Sequence, residues 1–102
     1  VDIPVGPEQD VDRVMTVLVE VAQGLKADPR WTEDIVDEPQ MLGVDKFTDS
    51  GVVIKLMLKT EPDRMFPVRR ELLRRVKKAF DEAGIEPGFP VRIVRDRTKT
   101  TG

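Results

Sequence analysis

The chain has neither cysteine nor histidine. The first absence excludes disulfides and thiolate chemistry and is compatible with a reducing compartment. Together the two absences exclude the commonest zinc and iron sites, whose ligands are thiolates and imidazoles. Long apolar runs are missing as well. The most apolar stretch, around Met57 and Leu58, is interrupted by Lys55 and Lys59, far short of the roughly 20 residues needed to cross a bilayer. No basic-then-apolar signal segment opens the chain, and a start at Val1 rather than methionine leads to the expectation of a fragment of something longer. The glycine patterns that cradle phosphates are also absent.

What is present suits one domain. A chain of 102 residues can bury roughly 60–70% of the surface it exposes when unfolded, enough for a core without staples. The net charge of -2 argues against a dedicated nucleic-acid binder, but it is unevenly spread. Residues 1–50 hold twelve acidic and four basic side chains, and residues 51–102 hold seven acidic and thirteen basic. Halves of opposite sign can neutralise one another within the fold or between neighbouring subunits.

Periodicity supplies the elements. Leu72, Val76, Ala79, Phe80 and Ala83 recur at helical spacing, so a helix is expected over 64–83 with one buried face and with Arg70, Arg74, Arg75, Lys77 and Lys78 on the other. Asp63 is the expected cap, and Gly84 and Pro87 end the helix. An earlier helix over 10–27, capped by Asp10 or Asp12, lines up Val14, Leu18, Val21 and Leu25. Its valines weaken intrinsic propensity by a few tenths of a kcal/mol each, so burial must hold it. Strict alternation over 51–60 places Val52, Ile54, Leu56 and Leu58 on one side of a strand and Val53, Lys55, Met57 and Lys59 on the other. Strands are also expected over 1–6, 40–48 and 89–95, with a hairpin at Thr48-Asp49-Ser50-Gly51. In 40–48 Leu42 and Val44 share one side and Phe47 falls on the other, unless a bulge at Asp45-Lys46 corrects the phase. The polar residues 96–102 read as a frayed tail beyond a single domain over 1–95.

Strand, helix, strand, hairpin, strand, helix, strand is the order of a ferredoxin-like α+β sandwich. The expectation is a four-stranded antiparallel sheet with both helices on one face and the first and third strands central. The expected core comprises Val14, Leu18, Val21, Leu25, Ile54, Leu56, Leu58, Leu72, Val76 and Phe80.

Candidate chemistry is sparse. Glu20 is the acid nearest an apolar stripe, but Thr16 and Gln23 share its side of the helix and mark it as solvent-facing, so no catalytic residue is assigned. Glu33, Asp34, Asp37 and Glu38 lack the alternating ligand spacing of a calcium loop and read as a solvated acidic segment, so no metal or other cofactor is expected. The exposed side of 51–60 has no aromatic pair for stacking bases, and no nucleic-acid partner is expected. Trp31 either covers one end of the core or marks an interface. Arg69, Arg70, Arg74, Arg75, Lys77 and Lys78 either solubilise a helix, with Glu71–Arg75 and Lys78–Glu82 as local pairs, or serve a charged subunit interface or an anion-binding surface.

Several stretches together carry a resemblance. They are Asp10 to Val19, Ala27-Asp28-Pro29-Arg30, Phe47-Thr48-Asp49-Ser50-Gly51-Val52, Thr60-Glu61, the run from Val68 to Glu86, and Phe89-Pro90. In combination they resemble the C-terminal cytoplasmic α/β domain of small-conductance mechanosensitive channels, the MscS family, over nearly the whole chain. The resemblance implies a homoheptamer in the inner membrane whose α/β domains form a hollow cytoplasmic cage that ions and small solutes enter through openings in its wall. It implies a structural and solute-filtering role, no enzymatic activity, and no membrane insertion of this segment. Trp31, Arg70, Arg74, Arg75, Lys78 and Phe89 are the residues expected at an interface or portal, and the isolated segment is expected to be monomeric or weakly associated. Gly88 and Val91 stand where the family ending has proline and glutamine. A free-standing ferredoxin-like module binding RNA or a regulatory ligand is the alternative.

Overall fold

The computed structural model describes residues 1–49 and 51–88. Alternation in the most apolar strand organises it. β1 (Asp2–Val5), α1 (Val11–Ala27), β2 (Gln40–Thr48), β3 (Gly51–Met57) and α2 (Met65–Ala83) follow in that order, with 3-10 turns at Thr32–Asp34 and Pro62–Arg64. Val52, Ile54 and Leu56 of β3 are buried, and Val53, Lys55 and Met57 face the other way. Ile3 and Val5 of β1 lie opposite Ile54 and Val52, so they join the same face. The two helices close it with Val14, Leu18, Ala22 and Leu25 from α1 and Val68, Leu72, Val76 and Phe80 from α2, all in one core cluster. Val21 and Leu58 are half-buried and pack against that cluster.

The expected four-stranded sheet is overturned. Among the described residues the sheet has three antiparallel strands in the order β1-β3-β2, so β3 is central and β1 is an edge. The expected strand over 89–95 and the tail over 96–102 lie outside the described residues. After α2 the chain meets β1 through one isolated bridge, Val5 with Pro87. There Gly6 N–H donates to the Glu86 carbonyl at 2.9 Å and Gly88 N–H to the Pro4 carbonyl at 3.1 Å. Val1 exchanges bonds with Leu56 at 2.7 and 2.9 Å, so odd residues of β1 point their polar groups at β3 and Pro4 points outward. Pro4, which accepts from Gly88, has no N–H to donate in return, so that outer edge lacks a donor for a regular ladder at this point.

β2 explains the broken phase of its sequence by two bulges. Leu42 and Asp45 are the extra residues, and they bring Met41, Val44 and Phe47 opposite Leu56, Ile54 and Val52 on the helix-covered face. Two residues connect β2 to β3, and Thr48 Oγ1 donates to the Gly51 carbonyl at 3.1 Å. Gly51 has φ 150, and a Cβ there would stand 2.1 Å from the Val5 carbonyl oxygen, so no side chain fits.

The helix ends differ in quality. Asp10 caps α1 by accepting from the N–H groups of Asp12 at 3.0 Å and Arg13 at 3.4 Å. Asp63 does not cap α2. It falls inside the 3-10 turn, Arg64 takes the N-cap position without a side-chain bond, and Pro67 sits in the first turn, where its missing N–H costs nothing. Gly84 adopts φ 71, and Ile85 N–H donates to the Phe80 carbonyl at 2.9 Å, which folds buried Ile85 over the last turn.

β3 stops at Met57 rather than at 60, because the chain beyond it pairs elsewhere. Ile35 bridges Thr60, Val36 N–H donates to the Lys59 carbonyl at 3.0 Å, and Glu61 N–H donates to the Asp34 carbonyl at 3.0 Å. This staple seats Ile35, 1% exposed, in the core.

Candidate functional site

The charged residues of α2 divide into a tied set and a free set. Asp28 ends α1, and its carboxylate lies between the helices. Arg30 donates to it from its backbone N–H at 2.9 Å and from its guanidinium at 3.3 and 3.0 Å, and Arg75 Nη2 donates at 2.6 Å. Arg75 Nε also donates to Glu71 at 2.8 Å, one helical turn back, while Arg74 makes a two-pronged contact with Glu71 at 3.0 and 2.8 Å. One guanidinium therefore links the end of α1 to the outer face of α2. The Asp28 carboxyl is held well below the usual carboxylate range, first by the Arg30 hydrogen bonds and then by Arg75. Glu71 is lowered from 4.5 to about 2 by the hydrogen bonds of Arg74 and Arg75, against a smaller opposing effect of desolvation. The pKa values of all three arginines rise in return, chiefly through these same hydrogen bonds.

Lys77 pairs with Asp81 at 2.6 Å, and Lys78 makes no ion pair with Glu82. Arg69, Arg70 and Lys78 are exposed and make no ion pair among the described residues. Trp31 is half-buried and packs against the core cluster. Of the residues expected at an interface or portal, the structure thus brings Arg74 and Arg75 together around Glu71 and leaves Arg70 and Lys78 outside that network. Phe89 lies outside the described residues.

No polar or charged residue is buried among the described residues, and Glu20 is exposed. Among the described residues, a cavity of about 460 Å³ between β1 and α2 is lined by the apolar Ile3, Pro4, Leu73, Val76, Phe80 and Pro87 and by the charged Asp2, Arg69, Lys77 and Asp81. The same described residues contain no group of three or more acidic, histidine or cysteine side chains placed to hold a metal ion. The open face of the sheet presents Val53, Lys55 and Met57 with Pro4 and Lys46 beside Val53, and among the described residues these include no aromatic ring for base stacking. Lys55 there pairs with Asp2 at 3.4 Å.

Sequence reasoning missed two features. Asp28 reads as a helix stop, and only the 47-residue separation closed by the fold makes it an ion-pair centre. Phe47, 82% exposed, and Val44, 49% exposed, face the helix side of the sheet yet overhang the core.

Comparison with known proteins identifies the family. Residues 1–86 match the family described as "Mechanosensitive ion channel MscS, C-terminal". The chain is 32% identical over 101 residues to the "Small-conductance mechanosensitive channel" of Caldanaerobacter subterraneus subsp. tengcongensis. That alignment covers 98% of this chain and 35% of the relative, so the chain spans about a third of the relative's length. No helix among the described residues is long and apolar enough to cross a membrane. The chain belongs to the MscS channel C-terminal family.

Proposed function

We propose that this domain forms part of the wall of a cytoplasmic cage beneath the pore of a small-conductance mechanosensitive channel, on the cytoplasmic side of the inner membrane. In the intact protein seven copies surround the vestibule, support it, and filter ions and small solutes by charge at its openings. Residues 1–95 act as one domain in this reading, and the pore lies in other parts of the protein. The observation that carries it is the extent of the alignment, which takes in almost all of this chain and only 35% of a channel. The charge pattern supports the filtering role. Exposed cations on α2, among them Arg70 and Lys78, raise the local anion concentration when several copies enclose a common space.

The complete reading frame tests the placement. Apolar spans followed by a β-rich stretch upstream of Val1 are expected, and a frame opening within a few residues of Val1 overturns the reading. In the membrane-embedded protein, Arg74→Glu with Lys78→Glu is expected to move the reversal potential toward cations. An unchanged potential removes the filtering role from this face and leaves the supporting one.

A further inference from the structure

Among the described residues, apolar side chains on β2 and on α2 are exposed, and the net charges beside the two sets are opposite in sign. On β2, Val44 is 49% and Phe47 82% exposed. Asp45 and Lys46, between them at the bulge, and Asp49, in the following turn, are exposed and make no ion pair among the described residues, which leaves a net charge of -1 beside the patch. On α2, Phe66 is 65% and Leu73 37% exposed. Arg70 lies between them at helical spacing on the same stripe and is also unpaired among the described residues.

We propose that the β2 patch of one copy packs on the α2 stripe of a second copy, Phe47 and Val44 against Phe66 and Leu73, with Asp45 and Asp49 facing Arg70. The assignment rests on the cage reading and names the faces that abut. Like-on-like pairing through β2 would bring the Asp45 and Asp49 carboxylates of two copies together, which opposes association. Strand addition at the β2 edge is hindered by its two bulges, which break the row of evenly spaced backbone groups. Side-chain docking between unlike faces remains. Such a contact is heterologous, so its repetition closes a ring when the rotation fits. A contact of two side chains on each copy is weak alone and relies on tethering by the rest of the protein.

The cysteine-free chain allows a direct test. Thr48→Cys marks the β2 patch, Arg69→Cys marks the α2 stripe, and Glu38→Cys serves as a control on the acidic loop. Chains carrying Thr48→Cys and Arg69→Cys, mixed at high concentration under mild oxidation, are expected to form the mixed disulfide about tenfold faster than Glu38→Cys with Arg69→Cys, the factor that about 1.4 kcal/mol of contact supplies. Asp45→Lys with Asp49→Lys on the first chain should abolish that advantage, and Arg70→Glu on the second should restore it. A mixed rate no higher than the control, or Thr48→Cys chains joining chiefly to themselves, overturns the proposal. Cross-linking in a protein whose reading frame lacks membrane spans would remove the cage reading and keep the contact. Spans without cross-linking would do the reverse.

Discussion

Replacing Leu72 by alanine tests the core where two helices and the sheet meet. Leu72 is fully buried, while Leu73, next in the chain, is 37% exposed on the outer stripe of α2. The same substitution at both positions therefore separates burial from helix propensity, which changes equally. Removing three carbons from a site with no exposure forfeits about 2.4 kcal/mol at roughly 0.8 kcal/mol per buried methylene. The unfilled space adds to this, giving about 2–5 kcal/mol in all. A domain of this size has roughly 5–15 kcal/mol to lose, and each kcal/mol moves the melting midpoint by about 4–8 °C. Leu72→Ala should therefore melt at least about 10 °C below the parent. Leu73→Ala, starting more than a third exposed, should lose under about 1.5 kcal/mol. Urea unfolding followed by the fluorescence of Trp31, the single tryptophan, reports both. Equal midpoints for the two variants would refute the assignment of the buried face of α2.

Three further outcomes are expected. Gly51→Ala must place a Cβ 2.1 Å from the Val5 carbonyl at φ 150, so it should cost about 1–3 kcal/mol or more in thermal melting, and a neutral result would contradict the hairpin geometry. Glu71 has its pKa lowered from 4.5 to about 2, so its contribution is full above pH 4.5 and is lost as pH falls toward 2; Glu71→Gln should flatten the fall of stability across that window, and an unchanged slope would show that the arginine contacts do not persist in solution. The isolated domain should scatter light as a monomer or as a weak assembly that dissociates on adding salt, because exposed ion pairs are worth about 0–1 kcal/mol and are screened. A ring surviving about 0.5 M salt would place the main assembly energy in this domain.

Local periodicity was legible in the sequence because it depends on residues within a turn or two of one another. The stripes of α1 and α2 and the alternation of β3 follow from 3.6- and 2-residue repeats, and the Gly84 stop follows from the one residue that takes the left-handed turn freely. The family could be read from the same residues, since the run from Val68 to Glu86 and the hairpin stretch carry it. Tertiary structure decided what depends on distant partners. It made β1 an edge among the described residues, since a strand's place in a sheet is set by what pairs on each side and Pro4 withholds a donor from the outer one. It buried Ile35, an isolated apolar residue in an acidic loop, by stapling that loop to the end of β3. It also turned Asp28 from a helix stop into the partner of Arg75, and pushed Phe47 past the rim of the core, because neither a 47-residue ion pair nor the reach of a neighbouring helix is encoded in any local pattern.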